Sequence, residues 1–340
     1  MTSAQSPDLH VRTRSDSGTK DSAEARAPVK GCQRRTEEVV VNAQRVIVGV
    51  DGSPESARAV IWAAREAFRR DSILHIVHVW HTPTSPGYPL FVPPTEILSD
   101  DAERSAKACV DDATKIALDA EPMLQLVAQI ACGPAAQTLI GYTEGAQLLV
   151  IGGSDRSPLD RAMFGSVSTH VVRHAACPVA VVRGDQEAVA VSTLGVGPVV
   201  VGVDGSVASQ GAVKFAMEYA SAHNLSVVAL QVWSTHDTDA FAGQWVLGDQ
   251  DSTPILAAVE TLFDDLKDRY PAVAVTVEAV YGRPVRELLQ RAVLAELLVV
   301  GSHGRGYFTG MLLGSVSTAL VHKASGTVVV VRPELVPAAA

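Results

Sequence analysis

VIVGVDGSPESARAVIWAARE, residues 46–66, and VVVGVDGSVASQGAVKFAMEY, residues 199–219, are one motif written twice. Each opens with a short unbroken apolar run, as a strand buried on both faces requires, and passes through Asp-Gly-Ser into helical spacing. Two more blocks repeat in the same order. HIVHVW, residues 75–80, answers VALQVW, residues 228–233. LLVIGGSDRSPLDRAMFGSVSTHVVRHAACPVAVVR, 148–183, answers LLVVGSHGRGYFTGMLLGSVSTALVHKASGTVVVVR, 297–332. Three matched blocks in one order define a tandem repeat.

Within each copy the pattern alternates strand and helix from the first strand to a fifth. Val46–Val50, Leu148–Ile151 and Val179–Val182 read as strands, and Ala57–Arg70 and Ala208–Ala222 as helices. Such alternation implies parallel strands joined by right-handed helical crossovers. The expected fold class is therefore α/β, two tandem domains, each a parallel sheet with helices on both faces. The spacing from Asp51 to Asp204 exceeds that from Gly165 to Gly314 by four residues, an insertion assigned to the Pro-rich loop after Trp80. The expected organisation is a disordered leader over 1–40, a first domain over 41–184, a linker over 185–197, a second domain over 198–334 and a tail over 335–340.

Composition agrees with this and excludes some functions. The 340 residues are about twice a domain of roughly 150. Apolar residues make up 47% and aromatic ones only 5%, so the cores are expected to be built of Val, Leu, Ile and Ala. A formal net charge of -9 repels a phosphate backbone, so no nucleic-acid partner is expected. No apolar run approaches the ~20 residues of a membrane span, and the start lacks the apolar core of a signal peptide. A soluble, cytoplasmic protein with no membrane partner is the expectation. Cys32, Cys109, Cys132 and Cys177 form no C-x-x-C pair, which argues against zinc and for reduced thiols.

In parallel sheets of this kind a ligand binds beyond the carboxyl ends of the strands, where strand order reverses. The first strand of each copy ends there in Gly-Val-Asp-Gly-Ser: Gly49, Asp51, Gly52 and Ser53, then Gly202, Asp204, Gly205 and Ser206. Gly49 and Gly202 are expected to let the backbone approach a ligand, and Asp51 and Asp204 to accept hydrogen bonds from a ribose hydroxyl or an adenine amino group. The competing reading makes Asp-Gly a turn and Ser53 or Ser206 a helix N-cap.

A sharper signal lies in the second copy. Gly301 and Gly304 are followed by nine residues, Arg305 to Leu313, and then by Gly314-Ser315. Gly304 and Gly306 make a flexible loop. Gly314 opens a helix whose first-turn amides, in Ser315, Val316 and Ser317, face an anion, with Ser315 and Ser317 adding hydroxyl donors and Arg305 adding charge. No Gly-Lys-Ser/Thr follows, so this is not a Walker A loop. His303 lies within the loop, and either a phosphate or ribose contact or simple exposure suits it. The remaining histidines, including His170 and His174 one turn apart, read as ordinary surface or core residues, and no metal site is expected. No Ser-His-Asp, Cys-His or paired-carboxylate arrangement marks a dedicated catalyst, so catalytic residues are not assigned.

On these residues the chain resembles a tandem universal stress protein of the ATP-binding class, a kind common in actinobacteria. That family's signature, Gly-x2-Gly-x9-Gly-Ser/Thr, is filled at every fixed place by Gly301, Gly304, Gly314 and Ser315. The resemblance implies two tandem Rossmann-like domains, each a five-stranded parallel sheet, and bound ATP, often with Mg²⁺ held mainly by phosphates and water. It also implies adenosine contacts from Asp204 and from backbone near Val232, and near Val79 in the first copy. The first copy departs from the signature: Gly152, Gly165, Ser166, Val167 and Ser168 are kept, but Asp155 replaces the second glycine, beside Arg156 and Pro158. A carboxylate next to a triphosphate is repulsive, so weaker ATP binding is expected there. The resemblance further implies pairing of the two domains through their last strands, 178–183 and 327–332, with homodimers of the whole chain and an unnamed protein partner. The function implied is regulatory, in stress response or dormancy. Two alternatives stand beside it: a slow ATPase or nucleotidyl or phosphoryl transferase, and a nucleotide-free dimerisation module.

Overall fold

The strands and helices alternate as the sequence pattern requires. The computed structural model describes residues 45–80, 95–153, 166–184, 197–233, 253–304 and 313–333. The leader, the loop after Trp80, most of the linker and the tail lie outside the described residues. The first repeat comprises β1 (Arg45–Val50), α1 (Pro54–Arg69), β2 (Ile73–Trp80), α2 (Thr95–Ala120), β3 (Leu126–Cys132), α3 (Ala135–Tyr142), β4 (Leu148–Gly152), α4 (Ser166–His174) and β5 (Val179–Val182). The second comprises β6 (Val199–Gly202), α5 (Val207–His223), β7 (Val227–Trp233), α6 (Thr253–Glu260), a 3-10 turn (Thr261–Phe263), α7 (Asp264–Arg269), β8 (Val275–Tyr281), α8 (Pro284–Ala292), β9 (Leu297–Gly301), α9 (Ser315–Lys323) and β10 (Val328–Val331). No described helix is long and apolar enough to cross a membrane.

All ten strands form one sheet in the order β3-β2-β1-β4-β5-β10-β9-β6-β7-β8. Strand order reverses between β1 and β4 in the first repeat and between β6 and β9 in the second. In parallel sheets ligands bind at such reversals, so these two crevices are the candidate positions. Every neighbouring pair is parallel except β5 and β10, which run antiparallel with Ala180 opposite Val329, flanked by Val179–Val330 and Val181–Val328. Ala180 and Val329 are equivalent positions of the two repeats, so the register itself is a local pseudo-two-fold axis. The expected joining of last strands thus occurs within one chain.

Val46 and Val48 enter one apolar layer with α1, α2 and α5, whereas Ile47 enters the other with α3, α4, α8 and α9. Both layers run through both repeats. Alternate β1 side chains are thus buried on opposite faces, which explains why the strand reads as an unbroken apolar run. Each first helix is followed by a left-handed residue, Asp71 or Asn224, at matching places. Asp and Asn tolerate that conformation through short polar side chains.

Across the seam, α1 and α5 meet around a buried carboxylate. Glu66, 2% exposed, pairs with Arg70 and receives His223 Nε2 at 2.8 Å. The His223 ring stacks on Tyr219 with centroids 3.9 Å apart, and the Arg70 guanidinium lies 5.4 Å from the Phe215 centroid. Burial pushes the Glu66 carboxyl up, but the Arg70 charge and then the His223 hydrogen bond outweigh it, so its pKa is lowered.

Candidate functional site

At the end of β1 and of β6 the chain makes the same Asp-Gly turn. Gly52 has φ 79° and Gly205 φ 75°, a left-handed conformation that favours glycine. Asp51 Oδ1 accepts from the Ser53 amide at 3.0 Å, and Asp204 Oδ1 from the Ser206 amide at 2.9 Å. The serines then cap the helices: Ser53 Oγ accepts from the Ser56 amide at 3.1 Å, and Ser206 Oγ from the Ser209 amide at 3.2 Å. The turn-and-cap reading is thus realised for Ser53 and Ser206. It leaves one carboxylate oxygen of each aspartate outside the turn's own bond. At Asp51, burial pushes the pKa up, while hydrogen bonds from the Ser53 side chain and backbone bring it below the usual value. This carboxylate is ionised at neutral pH and acts only as an acceptor.

Packing gives Gly49 and Gly202 a reason of their own to be glycine. A Cβ on Gly49 would stand 3.1 Å from Leu139 Cδ1, and one on Gly202 3.2 Å from Leu288 Cδ2. These glycines accommodate a leucine of the helix packed beneath the strand, α3 or α8. Gly152 and Gly301 serve close packing too. A Cβ on Gly152 would lie 2.6 Å from the Glu55 carbonyl, and one on Gly301 2.9 Å from Ala208 carbon atoms. Both set the end of a strand directly against the first turn of a helix, next to the Asp-Gly turn.

In the second repeat the spaced glycines come together. The Gly314 amide donates to Ser302 O at 2.7 Å, closing the loop on the end of β9. A Cβ on Gly314 would lie 3.2 Å from His303 Cα, and one on Gly304 only 2.3 Å from Asp204 Oδ2. The backbone of Gly304 therefore passes against the carboxylate of the first-strand turn. Ser206 Oγ, 3.4 Å from His303 O, also spans turn and loop. Helix α9 has Gly314 as its N-cap with no side-chain hydrogen bond to the cap, unlike α1 and α5, which carry their own serine caps. Its N-cap thus offers the first-turn amides no side-chain acceptor, an arrangement suited to an anion.

Ser315 is exposed at that helix start and Val316 is half-buried. Ser317 departs from its expected place as a donor to ligand. It is buried, and its hydroxyl donates to Gly301 O at 2.6 Å, bracing the helix against the strand end. His303 is half-buried, with Nδ1 2.8 Å from Ser302 Oγ. Its pKa is lowered, first by burial and then by the Arg332 charge, against the opposing pull of Asp204. At neutral pH it is an uncharged hydrogen-bonding group beside the loop. Val79 and Val232 are half-buried near the ends of β2 and β7 and pack against the second apolar layer.

The first repeat keeps the same frame. The Gly153 amide donates to Val182 O at 2.8 Å, as the Ser302 amide donates to Val331 O at 2.7 Å. Val167 and Ser168 are half-buried in the first turn of α4. Asp155, Arg156 and Gly165, with Arg305 and Gly306 of the second repeat, lie outside the described residues, and Ser166 stands at the first position of α4. His170 and His174 stack with centroids 4.3 Å apart, and the described residues hold no group of three or more His, Cys, Asp or Glu able to hold a metal. The residues given no role in the sequence are Arg183 and Arg332. The signal available was their recurrence at one place in both repeats, after the last strand.

The profile of the universal stress protein family matches the chain twice, over residues 42–183 and 195–332. A universal stress protein of Mycobacterium tuberculosis is 36% identical over 288 residues, covering 84% of this chain and 96% of that protein. One of Mycolicibacterium smegmatis is 38% identical over 292 residues, covering 85% and 97%. Among solved structures, a universal stress protein of Archaeoglobus fulgidus matches with a TM-score of 0.65 at 17% identity, covering 86% of this chain and 97% of that one. At that identity the likeness speaks for the shared fold.

Proposed function

From the premise that the chain belongs to the universal stress protein family, we propose that it binds an adenine nucleotide, ATP, in the crevice between β6 and β9, and with lower affinity between β1 and β4. The observation that carries this reading is the contact of Gly304 with Asp204: a Cβ there would lie 2.3 Å from Oδ2, so only glycine lets loop and carboxylate meet. The first-turn amides of α9 and the exposed Ser315 would hold the phosphates. The Asp204 carboxylate, at the strand end, would accept from the adenosine part. These groups fit a triphosphate nucleotide: donors at a helix start on one side, an acceptor at a strand end on the other. Mg²⁺ would ride on the phosphates and water, because the described residues offer no carboxylate cage.

Lower affinity in the first repeat follows from Asp155 standing where the second glycine belongs, since a carboxylate there repels phosphate. The role supported best is regulatory: nucleotide occupancy biases the loop conformation and hence what the chain binds in response to stress. The last strands are already paired within the chain, so a homodimer would have to use another surface.

The deciding experiment denatures the purified protein, separates released nucleotide by anion exchange and counts nucleotide per chain, then titrates ATP into emptied protein. The expected result is adenine nucleotide at up to two per chain, with unequal affinities. No nucleotide released and no ATP affinity would leave a dimerisation module. Rapid turnover to a defined acceptor would establish a transferase instead.

A further inference from the structure

Each repeat ends its last strand in arginine, and each arginine reaches into the other repeat. Arg183 follows β5 and is 5% exposed; its NH1 donates to His322 O, at the end of α9, at 2.9 Å. Arg332 follows β10, and its NH1 donates to Arg173 O at 2.8 Å and Ala175 O at 3.3 Å, at the end of α4. Arg173 and His322 occupy equivalent places in the two repeats, so these are one bond made twice across the pseudo-two-fold. A cation at a helix C-terminus satisfies carbonyls that the helix leaves open and complements its dipole.

Arg183 also meets the start of its own repeat's loop, and Arg332 lies near that of its own. A Cβ on Gly153 would stand 2.6 Å from Arg183 Nε and 2.7 Å from its Cγ, so Arg183 lies across the start of the first loop. At the equivalent place the second repeat has Ser302, fully buried, whose Cβ occupies that space. Arg332 is accordingly less buried than Arg183 and caps two carbonyls. It remains close enough to the second loop for its charge to lower the pKa of His303. The residue just before it, Val331, accepts from the Ser302 amide at 2.7 Å. Antiparallel pairing of β5 and β10 makes this possible, because the carboxyl end of each strand, beside its own loop, faces the segment that follows the other repeat's last helix.

We propose that Arg183 and Arg332 are positioning residues that couple each nucleotide loop to the last helix of the opposite repeat, so that filling one crevice is felt in the other. The inference rests on the nucleotide reading above. Two sites coupled through contacts that differ between filled and empty states change one another's affinity reciprocally. Here the coupling runs from Ser302 and His303 through Arg332 to the end of α4, and from Gly153 through Arg183 to the end of α9.

The test follows amide hydrogen exchange of the full chain, with and without saturating ATP, alongside calorimetric titration of the same samples. In the wild type ATP slows exchange over residues 171–176, at the end of α4. In R332Q that slowing falls by about five-fold or more, the lower range of allosteric couplings, while ATP still binds. R332K restores it, because a single nitrogen makes both cap bonds. R183Q leaves the response of 171–176 intact, and a melting curve on each variant establishes that it folds. Equal slowing in R332Q and wild type, with ATP bound to both, overturns the coupling and leaves the nucleotide reading standing. Loss of the response at 171–176 in R183Q as well assigns the arginines to general stability and also overturns it. Absence of ATP binding by the wild type overturns both.

Discussion

Replacing Gly304 by alanine adds one methyl group at the point where loop and carboxylate meet. Its Cβ would stand 2.3 Å from Asp204 Oδ2, against ~3.5–4.0 Å for unstrained contact, so one partner moves by more than ~1 Å. If the carboxylate rotates away, it gives up the 2.9 Å bond from the Ser206 amide, a loss of ~1 kcal/mol of stability. If the loop moves, the amides of α9 and the oxygen of Asp204 no longer converge on one ligand. In both cases a hydrogen bond between a charged group and the nucleotide is lost, worth ~1.5–3 kcal/mol. At ~1.4 kcal/mol per factor of ten, that weakens ATP binding about ten- to hundred-fold. Isothermal titration of the second site reads this directly, with a melting curve to verify a shift of no more than a few degrees. Gly141→Ala is the control, since nothing lies within 4 Å of its Cβ. ATP affinity in G304A equal to wild type, with an equal melting temperature, would refute the argument that the Gly304–Asp204 contact builds the site.

Gly141→Ala itself should raise stability by ~0.5–1 kcal/mol in urea unfolding, because alanine replaces glycine inside α3 without meeting a neighbour. Glu66→Ala should cost ~3–5 kcal/mol, the usual consequence of removing one partner from a buried pair, read as an earlier urea midpoint. Because the folded pKa of Glu66 is lowered, its contribution is complete above the ordinary carboxylate pKa of ~4.3 and is lost as pH falls through the folded value. Glu66→Gln should therefore flatten the stability profile only on that acid side; a change confined to neutral or alkaline pH would contradict the assignment. Burial pushes the Cys177 thiol up to about 12, so peptide mapping after alkylation at pH 8 should find Cys177 unlabelled in folded protein and labelled after unfolding. Exposed Cys132 should react without unfolding.

Much of the fold was legible because each element carries its own signal. The unbroken valine runs of β1 and β6 and the Asp-Gly-Ser turns state the strand, the turn and the helix start in consecutive residues. Their recurrence in 46–66 and 199–219 established the tandem repeat. The position of the candidate site followed too, since strand order in a parallel sheet places ligands at the carboxyl ends of strands. Individual roles were less legible. A glycine in sequence declares only that a side chain is missing, and Gly49, Gly202 and Gly304 look alike. Tertiary packing puts a leucine against the first two and a carboxylate against the third.

Ser317 and the two arginines make the same point from the polar side. A hydroxyl at a helix start reads as a donor to ligand until the strand end beside it offers a carbonyl at 2.6 Å. The contacts of Arg183 with His322 and of Arg332 with Arg173 and Ala175 span more than a hundred residues and exist only because β5 and β10 pair antiparallel. The sequence by itself determined the repeated α/β unit, its turns and the spacing of its glycine-rich loop, because periodicity and local hydrogen bonding are short-range. Only the tertiary structure decided which groups face the crevice and which brace it, because that depends on atoms brought together from distant parts of the chain.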